Sequence, residues 1–113
     1  MDTQSFPRQA RLHTKADFVS VFKQARKSTD GYFTVLCRDN HLLQARLGLA
    51  ISRRCARSAV VRNRIKRLIR ESFRHQQCAL VGLDIVVIGK PALTDRANHE
   101  LFASLTRHWQ AVA

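Results

Sequence analysis

The sequence has few of the residues that build disulfide scaffolds, metal sites and nucleotide-binding loops. Its 113 residues include three cysteines, four glycines and two prolines. Cys37, Cys55 and Cys78 contain no C-x-x-C pair, which argues against a disulfide framework or a zinc site. We predict that each is a small buried hydrophobe in a reducing compartment. The glycines are too scattered to form a phosphate-binding loop, so a small-molecule cofactor is not expected.

Acidic residues are also scarce, with eight Asp and Glu in total, and no two of them lie two, three or four positions apart. Metal-dependent cleavage of a phosphodiester needs carboxylates that converge on two ions. None of the five histidines belongs to a recognisable acid–base motif, and no nucleophile elbow is present. We therefore predict no catalytic residue and no metal ligand in the protein, and we place His108 on the surface of the last helix.

Long apolar runs are missing as well. No stretch approaches the roughly 18 apolar residues that cross a bilayer, and residues 1–10 lack the apolar core of a secretory signal. These absences predict a cytoplasmic protein with no membrane partner. The length fits a single domain over residues 1–113, with residues 1–10 as a flexible lead-in.

Positive charge is abundant. Twenty Lys and Arg give a net charge of +12 and a pI near 11.3. Ten of them lie between Arg46 and Arg74, together with one acid, Glu71. Solvated helix faces usually alternate in sign, whereas like charges four residues apart repel each other. A polyanionic partner would relieve this repulsion, and nucleic acid is the first candidate, ahead of an anionic membrane surface.

The apolar periodicity predicts six elements in the order α-β-β-α-β-α. They are a helix over 14–24, strands over 32–38 and 46–51, a long helix from after Ser58 to about Gln77, a strand within 84–89 and a C-terminal helix with Asn98 as a possible N-cap. We expect the first two strands to form a hairpin and residues 26–30 to end the first helix. An α+β fold, built as a two-layer sandwich with helices on one face of a small sheet, is the economical packing.

The long helix has two distinct faces on a helical wheel. Its apolar face holds Val61, Ile65, Leu68, Ile69 and Ser72. Its cationic face holds Arg62, Asn63, Lys66, Arg67, Arg70 and Arg74, with Arg64 at the edge. No helix-turn-helix, zinc-finger or leucine-zipper pattern accompanies this helix. The aromatic residues Phe18, Phe22, Tyr32 and Phe33 suit stacking on unpaired bases, although Phe22 and Phe33 are equally expected in the core. RNA is therefore favoured over DNA.

The run from Val61 to Arg74 (VRNRIKRLIRESFR) resembles the arginine-asparagine-arginine signature of the bacterial ribonuclease P protein component family. The similarity continues at 11–22, 46–54 and 84–90, and it covers roughly residues 8 to 110. The resemblance implies a subunit of a ribonucleoprotein endonuclease that removes the 5′ leader from precursor tRNA. In that family a catalytic RNA supplies the active site and holds Mg2+, and the protein helps to recruit the leader.

The resemblance also implies site residues. The expected contacts to the catalytic RNA are Arg53, Arg54, Arg62, Asn63, Arg64, Lys66, Arg67, Arg70 and Arg74. The expected leader cleft is lined by Phe18, Phe22, Phe33 and Leu36. The family usually has lysines where Arg53 and Arg54 stand, and some members have an aromatic residue where Leu36 stands. The implied fold is ribosomal-protein-domain-like, with a left-handed βαβ crossover in place of the usual right-handed one.

Two other functions stay open on the residues alone. A ribosomal or RNA-chaperone protein would share this composition and fold class, although the signature argues against it. A free-standing nuclease is disfavoured by the scattered acids, but separated carboxylates can still converge in a fold.

Overall fold

A computed structural model of the chain describes residues 25–113. The strands are β1 (Arg26–Thr29), β2 (Phe33–Asp39), β3 (Arg46–Ala50) and β4 (Leu83–Gly89), and the helices are α1 (Ala59–Gln76) and α2 (Asn98–Val112). Short 3-10 helices follow α1 (Gln77–Leu80) and β4 (Pro91–Asp95). None of the helices within 25–113 is long and apolar enough to cross a membrane. The predicted lead-in over 1–10 and the predicted helix over 14–24 lie outside the described residues.

The four strands form one mixed sheet in the order β1-β2-β4-β3. β4 pairs antiparallel with β2 and parallel with β3, so it lies between them and the predicted hairpin of β2 with β3 is wrong. The reason is the composition of β4, since residues Leu83 to Val87 are all buried. A strand that is apolar on both faces belongs in the centre of a sheet. The alternation of apolar residues shows which side chains of β2 and β3 share a face, but it does not show which strands lie beside them in the sheet.

β1 was not expected from the sequence, which predicted only a helix break over 26–30. The strand reads Arg-Lys-Ser-Thr and is mostly exposed, so it has no apolar alternation. It pairs antiparallel with β2 at the edge of the sheet, with Ser28 opposite Val35. Polar, charged edge strands are common because they discourage pairing with other chains.

Both helices pack on one face of the sheet, which confirms the two-layer α+β class. We call this side the helix face. On it, Phe33, Val35 and Cys37 of β2 are completely buried in a single core cluster with residues of both helices. The α1–α2 contact is fixed by Trp109, whose indole Nε1 donates to Ser72 Oγ at 2.9 Å. This bond explains why Ser72, predicted on the apolar face of α1, is buried.

The cysteine and capping predictions hold only in part. Cys37 and Cys55 are buried as expected, but Cys78 is exposed because it follows the end of α1 in a surface 3-10 turn. Asn98 is the first residue of α2, not its N-cap; Ala97 occupies that position and makes no side-chain cap bond. Asn98 instead uses its side chain to accept from Arg64.

The opposite side of the sheet, which we call the second face, carries a separate small cluster. Val86 is completely buried there and packs with Leu36 and Ile88. Leu36 and Val86 are direct partners across β2 and β4. β3 and β4 are parallel and connected through α1, as the expected βαβ unit requires. The left hand of this crossover stays a prediction.

The turn between β1 and β2 is attached to α2 through Asp30. One carboxylate oxygen accepts from the backbone N–H of Tyr32 and of Phe33, at 2.8 and 2.9 Å. The other accepts from the Ser104 hydroxyl and lies 3.2 Å from His108 Nε2. The His108 ring is 4 % exposed, and its Nδ1 lies 2.7 Å from the hydroxyl of Ser28. The expectation that His108 lies on the surface is therefore wrong: it faces the sheet, not solvent.

Acid should weaken this attachment. Burial by itself would raise the Asp30 pKa, but the bonds from Ser104, Phe33 and Tyr32 and the charge of His108 lower it from 3.8 to about 2. A depressed carboxyl pKa stabilises the fold fully above about pH 4, and the contribution is lost as the pH falls towards 2. The pKa shift corresponds to about 2 kcal/mol.

The measurement is the free energy of unfolding in urea for the wild type and Asp30→Asn, from pH 6 down to pH 2. The difference in unfolding free energy between the two proteins should shrink below about pH 4, because only the wild type has a carboxylate that becomes protonated at position 30. A difference that stays constant over this range would show that the charge of Asp30 does not contribute.

Candidate nucleic-acid interface

α1 presents the cationic surface because its other side is anchored in the core. Ser58 caps the helix by accepting from the N–H of Val61, and 18 residues extend it over about 27 Å. The buried side consists of Ile65, Leu68, Ile69, Ser72 and Phe73. This stripe agrees with the predicted apolar face except at two positions: Val61 is only half-buried, and the buried Phe73 was not part of the prediction.

The opposite side of α1 forms a cationic ridge, which we define as Asn63, Lys66, Arg67, Arg70 and Arg74. Asn63 and Arg67 are exposed, and the other three are half-exposed. Within residues 25–113, neither Lys66 nor Arg67 forms a salt bridge. The carboxylates of this range that do form salt bridges, those of Asp30, Asp39, Asp84 and Glu100, lie on other elements. The charges of Lys66 and Arg67 are therefore not paired by carboxylates within residues 25–113.

A second group of basic side chains lies in the segment before α1, residues 52–58, which we call the basic loop. Arg53, Arg54 and Arg57 are exposed, whereas Cys55 and Ala56 between them are buried. The backbone N–H groups of Cys55 and Ala56 both donate to Ser52 O at 3.1 Å. The loop is thus a tight turn with an apolar underside and three guanidinium groups on its outer side.

Arg62 connects α1 to the basic loop. Its Nη1 atom donates to Ala56 O and to Arg57 O, both at 2.8 Å. The resemblance predicted Arg62 as a contact to RNA, yet part of its guanidinium is occupied by these two carbonyls. The sequence gives no sign of this, because the bonds depend on how the loop folds back over the helix.

Arg64 and Thr94 connect the same region to the segment after β4. Arg64 Nη1 donates to Asn98 Oδ1 at 2.7 Å, and its Nη2 lies 3.4 Å from Thr94 O. The Thr94 hydroxyl donates to Cys55 O at 2.6 Å. Burial raises the pKa of the Cys55 thiol, so the thiol is neutral at physiological pH and can donate to Lys90 O at 3.3 Å. Hydrogen bonds therefore connect the basic loop, the start of α1 and the segment after β4 to one another.

The structure places two basic residues differently from the expected RNA surface. Arg57 was not among the expected RNA contacts, although it is exposed beside Arg53 and Arg54; its place in the same basic run could have indicated it. Arg46, counted in the basic segment, lies away from the ridge. It binds the buried carboxylate of Asp84 in a bidentate pair, at 2.7 and 2.6 Å, at the start of β3.

The four residues expected to line the leader cleft do not all meet. Phe18 and Phe22 lie outside the described residues. Phe33 and Leu36 belong to opposite faces of β2, because they are three positions apart in a strand. Phe33 is completely buried on the helix face, in edge-on contact with the ring of His108. Leu36, on the second face, is therefore the described residue that can line such a cleft.

The described acidic residues do not fit a protein-held Mg2+ site. Within residues 25–113, no three His, Cys, Asp or Glu side chains come close enough to hold a metal ion. The most buried carboxylate in this range, that of Asp84, is bound by Arg46 and by Asn40 Nδ2 at 2.9 Å.

Comparison with known proteins agrees with this architecture. The family model for ribonuclease P matches residues 6–113. The chain is 51% identical over 106 residues to the ribonuclease P protein component of Thioalkalivibrio sulfidiphilus, covering 94% of this chain and 88% of that one. It is 42% identical over 113 residues to that of Vibrio parahaemolyticus, covering 100% and 96%.

Solved structures show the same likeness. A mutant RNase P protein from Staphylococcus aureus has a TM-score of 0.83 at 31% identity, over 88% of this chain and 85% of that chain. The RNase P protein from Thermotoga maritima has a TM-score of 0.80 at 30% identity, over 91% and 97%.

The mixed sheet, the helices on one face and the cationic ridge define a class, that of small basic α+β proteins with the RNase P protein fold. The chain belongs to the ribonuclease P protein family. As a ribonuclease P protein component, it is the protein subunit of an endoribonuclease that functions in tRNA processing.

The crowding of charge on the ridge should lower the stability of the free protein. Lys66 has Arg62 and Arg70 at four residues on either side, and each like pair costs about 0.2–0.5 kcal/mol. We expect Lys66→Gln to raise the melting temperature in low salt, and the gain to shrink in high salt as the charges are screened.

Arg96→Gln is the matched control. It also removes one positive charge, but Arg96 pairs with Glu100 at 3.9 Å, so its loss should leave the protein equally or less stable. Equal stabilisation by both variants would show that net charge, and not the local pairs on α1, sets the effect.

Proposed function

We propose that this chain binds the catalytic RNA of ribonuclease P and the 5′ leader of precursor tRNA. In this way it assists the RNA-catalysed, Mg2+-dependent removal of the leader. The observation that supports the proposal most directly is the cationic ridge with the adjoining basic loop, a surface whose Lys66 and Arg67 form no salt bridge within residues 25–113. Family membership supplies the substrate class.

The ridge and the basic loop form the proposed surface for the catalytic RNA. Guanidinium groups bind phosphate oxygens through two N–H donors at once, which suits a folded RNA with closely spaced phosphates. The exposed Asn63 adds a neutral hydrogen-bonding group between the charges. Arg62 and Arg64 belong to the same surface, at its border with the basic loop and with α2.

The second face of the sheet forms the proposed surface for the leader. Leu36 and Ile88 provide apolar contact for unpaired bases, and the basic side chains of Lys27 and Arg38 lie on neighbouring positions of the same face. The aromatic residues Phe18 and Phe22 are proposed to complete this cleft. Without an aromatic at position 36, base stacking would depend on those two residues.

The proposed roles of RNA and protein follow from the described carboxylates, which do not converge on a metal site. In this proposal the catalytic RNA holds Mg2+ and the protein provides positive charge and a binding surface, with the complex in the cytoplasm. A ribosomal or chaperone role would use the same ridge but would not require precursor tRNA.

The direct test is cleavage of 5′-labelled precursor tRNA at low Mg2+ by the catalytic RNA alone, the protein alone and the mixture. We expect efficient cleavage at the mature 5′ end only in the mixture, because the protein offsets phosphate repulsion that Mg2+ would otherwise screen. The charge reversals Arg67→Glu and Arg70→Glu should abolish the stimulation. Tight RNA binding without stimulation would favour the ribosomal or chaperone reading, and cleavage by protein alone would favour a nuclease.

The leader cleft has its own test. Phe18→Ala and Leu36→Ala should each weaken binding of precursor tRNA to the holoenzyme by about tenfold, because each variant loses one stacked or apolar contact. Binding of mature tRNA should change little. The control is Leu43→Ala, the same truncation at a residue that is 97% exposed in the β2–β3 connection. Equal losses for precursor and mature tRNA would contradict the cleft.

A further inference from the structure

The arginines of the signature do not all serve the ridge in the same way. We propose that Arg62 is a positioning residue: together with the Thr94 hydroxyl, it holds the basic loop in the shape in which Arg53, Arg54 and Arg57 meet RNA phosphates. The inference rests on the proposed function of this surface. It deepens that function by separating side chains that shape the interface from side chains that bind.

Three successive carbonyl groups of the basic loop are bound by side chains from outside it. Cys55 O accepts from Thr94 Oγ1 at 2.6 Å. Ala56 O and Arg57 O accept from Arg62 Nη1, each at 2.8 Å. A guanidinium Nη1 carries two hydrogens, so these two bonds occupy both. That nitrogen is consequently not available to a phosphate while the loop keeps this shape.

The underside of the loop packs against the end of β4. Cys55 and Ala56 are 3 % exposed, and the Cys55 thiol donates to Lys90 O at 3.3 Å. Gly89 lies beneath the thiol, and a Cβ at this position would come within 2.8 Å of Cys55 Sγ. The close approach of β4 to the loop leaves little space for the backbone at 55–56 to move.

The three loop arginines repel one another, so the backbone that carries them needs an external anchor. If the carbonyls at 55–57 were released, the guanidinium groups would spread apart and RNA would have to order the loop when it binds. Ordering a segment costs conformational entropy and lowers affinity. A preformed loop avoids this cost, and Arg62 and Thr94 are the residues placed to preform it.

The test is the salt dependence of binding between the full-length protein and the ribonuclease P RNA of the same organism, at constant Mg2+. The slope in question is that of the logarithm of the binding constant against the logarithm of the salt concentration. Each phosphate contact contributes about 0.9 to its magnitude on duplex and about 0.7 on single strands. Arg67→Gln, an exposed residue of the same helix, should lower the slope by one contact. Arg62→Gln should lower it by more than one, because the loop contacts are lost with it. Thr94→Val removes no charge, yet it should also lower the slope and weaken binding about fivefold.

A double-variant comparison separates positioning from direct binding. Adding Arg53→Gln to Arg67→Gln should give the sum of the two effects, whereas adding it to Arg62→Gln should change little, since residues that act through one another are not additive. In the RNA-free protein, amide hydrogen exchange at Cys55 and Ala56 should accelerate in Arg62→Gln and in Thr94→Val but not in Arg67→Gln.

A one-contact change in slope for Arg62→Gln, full additivity with Arg53→Gln and wild-type binding by Thr94→Val would together overturn the inference while leaving the proposed function intact. If Arg62→Gln does not fold, Thr94→Val decides. If Arg53→Gln and Arg67→Gln both bind RNA as the wild type does, the proposed RNA surface fails, and the inference fails with it.

Discussion

The burial of one stripe of α1 against the sheet is the constraint on which the rest of this structure depends. Ile65, Leu68, Ile69 and Phe73 are at most 5 % exposed, and each such side chain contributes about 1.5–3 kcal/mol when it leaves water. A like-charge pair on the other side of the helix costs about 0.2–0.5 kcal/mol. Burial therefore exceeds repulsion several-fold, and a helix that would be unfavourable in isolation is held in place by its packing.

Much of α1 could be read from the sequence, because a period of 3.6 residues assigns both of its faces at once. The strongly apolar β4 was also found, since its composition alone marks a buried strand. The strand order could not be found, because the partner of a strand is decided by contacts between residues far apart in the chain. β1 was missed for a related reason: its four polar residues become a strand only because β2 offers them a free edge.

The candidate site was predictable as a region but not in the role of each residue. Clustered positive charge and the signature of the family located the ridge and the basic loop. The sequence could not show that Arg62 bends back to two carbonyls, that Thr94 reaches a residue 39 positions away, or that Phe33 and Leu36 face opposite ways. Hydrogen-bond partners and strand faces depend on the final packing, and so does the burial of His108 beside Asp30.

The ridge has a consequence for the life of the protein in the cell. A surface of crowded cations is least favourable when it faces only water and small ions. If the ridge binds RNA as proposed, the subunit without RNA is the less stable form, and binding adds stability by mass action. Cellular proteases remove molecules that open transiently, and modest differences in stability change abundance several-fold. Copies made in excess of their RNA would be degraded first. If the ridge binds RNA as proposed, the charge pattern of α1 would link the amount of protein to the amount of RNA.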